Sequence, residues 1–269
     1  MAHPTLLRLG NTLVYIFFLS SSLYDVAGPD SGSIGYGKHQ TYLTPAPFAF
    51  AIWGLIHFLF FGFVVWQWFA PKEESDEIVV NGYGSWFIIA GLLTSLWHNN
   101  WESGHLVISL IILLFASGSV TSIYYQLQSR PAKTPIEHLF VHAPVSLFHG
   151  WLVFITWLNI FAIFTKVADP AHPNLLHRIL VFLVLLKLAF TAMGYTELKN
   201  NAHGDIAGAF AITWALIAVG VGQESKFITI SALVLAGWST VYALKPQVFK
   251  KSAITSERQP LLGAPGNVV

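Results

Sequence analysis

The stretch that decides the fold is Thr44-Pro45-Ala46-Pro47-Phe48-Ala49-Phe50-Ala51-Ile52-Trp53-Gly54-Leu55-Ile56-His57. Proline suits the first turn of a helix, because the N–H that it lacks would be unsatisfied there anyway. The apolar run continues to residue 69, which is long enough to cross a bilayer. Phe50, Trp53 and His57 share one face at spacings i, i+3 and i+7. The pattern indicates a membrane helix with an aromatic face that either lines a cavity or only packs against other helices.

The composition places the whole chain in a membrane. Of 269 residues, 54% are hydrophobic, 15% aromatic and only 10% charged, whereas soluble domains carry about 25% charged residues. Fourteen Lys and Arg against thirteen Asp and Glu give a net charge of +1, which argues against binding to nucleic acid. The absence of cysteine excludes disulfides, iron–sulfur clusters and thiolate zinc sites. We therefore expect an all-α polytopic membrane protein.

Eight segments are apolar enough to be transmembrane helices. They are residues 5–24, 46–69, 85–101, 105–127, 138–165, 176–194, 206–222 and 227–245. The third and the seventh are the shortest. The first contains Arg8 and Asn11 and lacks a small-residue cleavage site, so we interpret it as a retained helix rather than a signal peptide.

The basic residues predict the orientation, because cytosolic loops carry an excess of Lys and Arg. Nine of them fall on the side that holds both termini, four fall on the other side, and Lys187 lies within a span. We therefore expect both termini in the cytosol, and the loop 25–45 and the turn 99–104 on the lumenal side. Residues 70–84 are rich in acidic side chains, which predicts a solvated cytosolic turn.

Several motifs follow one another along the chain in a recognisable order. Besides the stretch 44–57, they are Leu96-Trp97-His98-Asn99-Asn100-Trp101, Ser109-Leu110-Ile111-Ile112-Leu113-Leu114 through Tyr125, His142-Ala143-Pro144-Val145-Ser146-Leu147-Phe148-His149-Gly150-Trp151, and Leu158-Asn159. Together they resemble the helices of the TspO/MBR superfamily, which includes the translocator protein and the tryptophan-rich sensory protein. The chain looks like a divergent eight-helix branch, with His57 where related sequences have Tyr.

The resemblance implies an organisation in three parts. Residues 1–165 would form a TspO-like five-helix transmembrane core, and residues 166–245 would add three transmembrane helices. Residues 246–269 are polar and are predicted to be a disordered cytosolic tail. The stretch Ile160 to Lys166 lacks the Tyr of the superfamily's cholesterol-contact pattern, which weakens the prediction of sterol binding by that route.

The orientation brings the aromatic and polar residues of several helices into one leaflet, beneath the loop 25–45. The candidate ligand-binding residues are Phe50, Trp53, His57, Trp97, His98, Asn100, Trp151, Trp157 and Asn159. A Trp-lined pocket that opens toward the lumen suits a hydrophobic small molecule, which aromatic faces hold and a few polar groups orient. The resemblance implies a porphyrin or haem as the ligand, and a sterol-like molecule is the other candidate.

Ionisable residues within spans suggest an alternative function. His142, His149 and Lys187 are candidates for proton coupling in a secondary transporter of a small metabolite, although buried imidazoles often only join helices by hydrogen bonds. His98, Glu102 and His105 have a metal-ligand spacing, but a hydrated hairpin explains them better, so we predict no metal site. Without a nucleophile–base pair, a binding protein is expected rather than an enzyme. Asp205 and the small residues after it indicate helix capping and close packing.

The tail contains a short sorting pattern. Glu257, Leu261 and Leu262 match the acidic dileucine signal that cytosolic adaptors read, which predicts an endomembrane location such as a vacuole or lysosome. The expected partners are membrane lipid, the hydrophobic ligand, an adaptor at the tail and a second copy of the chain in a homodimer.

Overall fold

The computed structural model describes residues 3–27, 39–165, 167–197 and 204–257. Helices make up 84% of this part of the chain, and no strand occurs in it. The main helices are α1 (Pro4–Ala27), α2 (Ile52–Phe69), α3 (Lys72–Glu77), α4 (Trp86–Glu102), α5 (Leu106–Gln128), α6 (Ala143–Phe164), α7 (Leu175–Glu197), α8 (Ile206–Gly222) and α9 (Lys226–Glu257). A 3₁₀ turn, Pro47–Ala51, leads into α2. The predicted all-α membrane fold is confirmed.

Each of the eight predicted segments coincides with a helix. Six helical segments of the described chain are long and apolar enough to cross a bilayer unaided. The other two are those that the sequence showed to be short. The third predicted segment is α4, which pairs with Lys72–Tyr83 across a bend of 52°. The seventh is α8, an apolar helix with only 17 residues.

The two ends of the bundle are held by different polar contacts, ion pairs at one end and side-chain amide hydrogen bonds at the other. One end, which we call the Arg8 end, holds the ion pair of Arg8 Nη2 with Asp76 Oδ1 at 2.7 Å. Arg130 pairs with Glu77 there, with 3.6 Å between Nε and Oε1. The opposite end, which we call the Gln223 end, is joined by hydrogen bonds from Gln223 Nε2 to the carbonyls of Thr41 and Thr44, at 3.2 and 2.7 Å.

The prediction of a solvated turn at residues 70–84 holds for the charged residues of α3, which are exposed or half-buried, but it is wrong for residues 78–83. These residues form a π-helical turn after α3, and most of its apolar side chains are buried. Tyr83 stacks on Phe63 with ring centroids 3.8 Å apart, and its hydroxyl donates to the Val141 carbonyl at 2.7 Å. The acidic residues of α3 do not prevent this packing, because the buried Arg8 pairs with Asp76.

Helix α6 lies at the centre of the bundle and contacts α2, α5 and α8. A π-helical turn, His138–His142, precedes it. Pro144 follows at the start of α6, and because proline has no N–H it removes one hydrogen bond of a regular α-helix. The change from π to α geometry at Ala143 therefore occurs where the sequence cannot sustain a continuous ladder.

Helix α8 is short because it begins inside the bundle. Gly150 lies two turns into α6, yet a β-carbon on it would come within 2.7 Å of the carbonyl oxygen of Gly208, in the first turn of α8. Asp205 caps this buried start, with Oδ1 accepting a hydrogen bond from Gly208 N at 3.2 Å. The close packing and the capping predicted from the sequence are both present.

The backbone of α9 is helical to Glu257, which lies beyond the end of the predicted span. Leu261 and Leu262 lie outside the described residues, as do residues 28–38 of the loop 25–45. The sorting signal and the cover over the pocket therefore stay predictions.

Candidate functional site

A cavity of about 690 Å³ lies between α1, α2 and α4, in the half of the bundle next to the Gln223 end. Its volume falls within the roughly 300–1,000 Å³ of small-molecule sites. The lining residues are Tyr15, Phe18, Leu19, Ser21, Ser22, Leu23, Pro47, Phe50, Ala51, Trp53, Gly54, His57, Phe58, Phe61, Thr94, Ser95, Trp97 and His98. The surface is therefore mostly aromatic and aliphatic, with a few polar groups.

Trp53 is the central wall of this cavity. Its indole meets Phe18 at 6.0 Å and Trp151 at 6.4 Å, in both cases edge to face with an interplanar angle of 88°. Trp151 is fully buried and does not line the cavity, so it holds Trp53 from behind. An indole held on several sides by rings offers a rigid flat surface to a ligand.

His57 is a polar residue of the cavity wall whose side chain bonds to the neighbouring helix α1. Its Nε2 lies 2.9 Å from Ser22 Oγ, and its Nδ1 has no hydrogen-bond partner among the described residues. The hydroxyls of Thr94 and Ser95 are already used, since they donate to the carbonyls of Ala90 and Gly91 in their own helix. His57 Nδ1 is thus a buried polar atom without a partner beside the cavity, and its ring would have to turn before it could orient a ligand.

Trp97 is held in the opposite wall by Asn159, which is itself completely buried. Trp97 Nε1 donates to Asn159 Oδ1 at 3.2 Å, and Ser109 Oγ donates to the same oxygen at 3.0 Å. Asn159 Nδ2 in turn donates to the Leu106 carbonyl at 3.2 Å. One amide therefore joins α4, α5 and α6 and fixes the position of a cavity side chain.

The nine predicted ligand-binding residues thus divide into three groups. Five of them line the cavity, namely Phe50, Trp53, His57, Trp97 and His98. Trp151 and Asn159 support the wall from behind. Asn100 donates to the Leu96 carbonyl of its own helix, and Trp157 is half-buried against the core. Neither of the last two lines the cavity.

The sequence did not predict the contribution of α1, whose residues Tyr15 to Leu23 form one side of the cavity. The superfamily motifs all lie further along the chain, so the resemblance gave α1 no role. A signal was present in Ser20-Ser21-Ser22, a polar run inside an apolar helix. Tyr15 also ties α1 to α2, because its hydroxyl donates to the His57 carbonyl at 3.0 Å.

The cavity reaches the outer surface of the bundle between α1 and α2. Its rim residues Leu23, Phe58 and Phe61 are each more than half exposed, and all three are apolar. In a helix that spans a bilayer such a surface faces lipid. The opening therefore suits a molecule that is itself dissolved in the membrane.

The residues with metal-ligand spacing do not form a cluster. Helix α4 ends at Glu102, and a tight turn with Gly104 at φ 77° separates it from His105 at the start of α5. His98 Nε2 lies 3.9 Å from Glu102 Oε1. In the described parts of the chain, no three His, Asp or Glu side chains converge as a metal site would require.

The proton-coupling candidates are only partly brought together. His149 and His142 both face α5 near Tyr124, His149 by ring stacking at 4.8 Å and His142 across a small internal space. Lys187 is exposed on the outer face of α7. The sequence did not associate Tyr124, Tyr195 and Asp205 with the two histidines, because their proximity depends on how deep α8 starts.

These features define a polytopic helical membrane protein with an aromatic cavity in one half of the bundle. A sequence model of the family described as TSPO-like protein matches residues 8–245. The chain therefore belongs to the TSPO-like protein family, and the match includes α7, α8 and α9 as well as the first five predicted spans. The comparisons with curated proteins and with solved structures gave no match.

Proposed function

We propose that the protein binds a hydrophobic small molecule in the cavity between α1, α2 and α4. The observation that carries the proposal is an aromatic cavity of about 690 Å³ with the side chain of His57 in its lining. Apolar walls supply most of the affinity of such a site, while a few polar atoms supply the orientation. Membership of the TSPO-like protein family agrees with this role.

Among hydrophobic molecules, a planar aromatic one fits the walls better than a sterol does. The half-buried rings of Phe50 and Trp53 offer surface to the cavity, which gains from stacking with another π system beyond simple burial. A porphyrin is such a molecule, and His57 would hold the iron of haem only if its ring turned so that one nitrogen faced the cavity. The ligand would enter from the bilayer past Phe58 and Phe61, on the side predicted to be lumenal.

The test is a titration of the purified protein in lipid nanodiscs with metal-free protoporphyrin, followed by the Soret band. Trp53→Ala is expected to weaken binding at least about tenfold, which corresponds to roughly 1.4 kcal/mol. The matched control is Trp68→Ala, since Trp68 lies on the same helix but outside the cavity. Equal affinity of the two variants, with helicity retained, would contradict the proposal.

Two ligands distinguish whether His57 holds the haem iron or only forms part of the cavity wall. His57→Phe keeps an aromatic ring in the wall, so it should retain binding of metal-free protoporphyrin and lose the spectral signature of imidazole-ligated haem. A loss of both would assign His57 to the wall itself rather than to iron ligation. Displacement of protoporphyrin by cholesterol at lower concentration than by haem would favour a sterol as the ligand.

A second candidate function, proton-coupled transport of a small metabolite, is supported by the buried polar side chains around His149. Uptake into proteoliposomes that responds to an imposed pH gradient would support it. Equal uptake with and without the gradient would count against it.

A further inference from the structure

A second polar site lies on the opposite side of α6 from the cavity, where α5, α6, α7 and the start of α8 meet. Asp205 is only 3% exposed there, and its backbone N donates to the Tyr195 carbonyl at 2.9 Å. Its Oδ1 caps α8, while its Oδ2 has no hydrogen-bond partner among the described residues. A buried carboxylate without a cation is costly unless hydrogen bonds or a proton neutralise it.

The hydrogen bonds of His149 fix its neutral tautomer. The hydroxyl of Thr121 donates its single hydrogen to the Ser117 carbonyl at 2.7 Å. Thr121 Oγ1 lies 3.0 Å from His149 Nε2 and must therefore accept, so Nε2 carries the hydrogen. Nδ1 is then an acceptor, and the hydroxyl of Tyr195 donates to it. Tyr195 thus connects the two residues: its hydroxyl bonds to His149, and its backbone carbonyl bonds to Asp205.

Tyr124 completes the arrangement. Its ring stacks on His149 and meets Tyr195 edge to face at 5.8 Å. Its hydroxyl faces the Asp205 carboxylate and the Gln128 amide, although neither contact reaches hydrogen-bond geometry. Beside it is a space of about 10 Å³, bounded also by His142 and Ser146, which is close to the size that holds one water molecule.

The described titratable groups around Asp205 are two phenols and one imidazole, those of Tyr124 from α5, Tyr195 from α7 and His149 from α6. The Gln128 amide and the His142 imidazole border the space beside Tyr124, and the ring of Tyr125 lies next to that of Tyr124. Asp205 forms no ion pair with any described residue. Lys199 and His203 belong to residues 198–203, which the structure does not describe, so the experiment has to test them.

We propose that this cluster is a binding site for one exchangeable proton, which reaches Asp205 from water at the Arg8 end. The proton adds to Oδ2 of the carboxylate, and the new O–H donates to the Tyr124 hydroxyl oxygen. No other covalent bond changes, and the net charge of the site rises from −1 to zero. The proposal goes beyond ligand binding in the cavity and does not depend on it.

Helix α8 connects the proton site to the cavity wall. Its first turn is capped by Asp205, and its later turns hold the segment that enters α2. The Ala218 carbonyl accepts from Ala46 N at 2.8 Å, and Trp214 Nε1 donates to the Ala49 carbonyl at 2.9 Å. Because Pro47 and Phe50 of this segment line the cavity, a shift of α8 on protonation would move part of the cavity wall.

The test is infrared difference spectroscopy of the protein in nanodiscs between high and low pH. The wild type should show the C=O band of one buried carboxylic acid that Asp205→Asn removes. Asparagine is also a good helix cap, so this variant should fold. Asp169→Asn, which changes an exposed carboxylate at the opposite end, should leave the band intact.

Nitrogen NMR of labelled histidine gives a second readout, with His149 assigned through His149→Gln. It should show the Nε2–H form at high pH. A spectrum without any band dependent on Asp205, in protein that stays folded, would overturn the proposal. So would a band that appears only in Lys199→Gln or His203→Gln, because Asp205 would then belong to an ion pair.

Discussion

Neighbouring residues of α6 face opposite environments. Phe148 packs among Phe18, Trp53 and Phe60 behind the cavity, whereas His149 bonds to Thr121 and Tyr195 in the polar cluster. The cavity side is held by ring contacts and leaves apolar space next to lipid. The polar side is nearly filled, because in a membrane buried polar groups must find partners inside the protein. One helix therefore separates an apolar cavity from a cluster of buried polar side chains, which are the proposed sites for an apolar ligand and for a proton.

The largest expected loss of stability comes from a change on the cavity side of α6. Asn159→Leu leaves the Trp97 N–H and the Ser109 hydroxyl buried without their acceptor, which should lower the free energy of unfolding by about 3 kcal/mol. Chemical unfolding in detergent micelles measures this change. The control is Asn100→Leu, whose amide bonds only within its own helix. Similar losses in both variants would show that Asn159 is not the joint between α4, α5 and α6.

The second largest effect concerns the close contact between α6 and α8. A methyl group on Gly150 would meet the Gly208 carbonyl oxygen at 2.7 Å and Ala211 Cβ at 3.0 Å. Gly150→Ala should therefore cost about 2 kcal/mol through overpacking. Gly118→Ala in α5 meets nothing within 4 Å, so it should instead stabilise by up to about 1 kcal/mol. Thermal unfolding of both variants tests the opposite signs, and equal signs would contradict the close contact.

A smaller effect is expected in the cavity when the polar cluster is changed. At one fixed neutral pH, Asp205→Asn should change the affinity for protoporphyrin by less than about tenfold, because Asp205 does not line the cavity. The same variant should flatten the pH dependence of that affinity if α8 carries the influence of the proton. Titrations at several pH values measure both quantities. A collapse of binding at every pH would show that the two sites are one structural unit.

The smallest effect lies outside both regions. The backbone N–H of His172 donates to Asp169 and lowers the pKa of this exposed carboxyl below its usual value, with the His172 side chain assisting. Because the folded pKa lies below the unfolded one, the contribution to stability is present above the unfolded pKa and is lost as the pH falls through the folded pKa. Asp169→Asn should remove that acid-range slope in unfolding experiments and lower the stability slightly at neutral pH, where the contribution is fully present. A change at neutral pH as large as that of Gly150→Ala would contradict the assignment.

The sequence predicted the membrane helices well because hydropathy depends only on composition along a segment. The same arithmetic misread residues 78–83, because the charged residues just before Ile78 and Val79 indicated a solvated turn. Their burial requires Arg8, almost seventy positions earlier, to lie beside Asp76. Local pattern contains no information about such a partner.

The cavity was predicted in part. Trp53 and Trp97 were identified through family resemblance and a shared leaflet, and they do line one space. Tyr15 and Phe18 were missed because the resemblance assigned no role to α1. The polar cluster was missed because Asp205 reads as an ordinary helix cap, and only the depth at which α8 begins brings it to Tyr124 and His149.

An experimental structure of the protein with bound protoporphyrin would test the ligand site most directly. We expect the macrocycle between α1, α2 and α4, with Trp53 and Trp97 in van der Waals contact with it. A macrocycle bound elsewhere, or a cavity still occupied by a lipid chain at saturating protoporphyrin, would show that the cavity is not the porphyrin site.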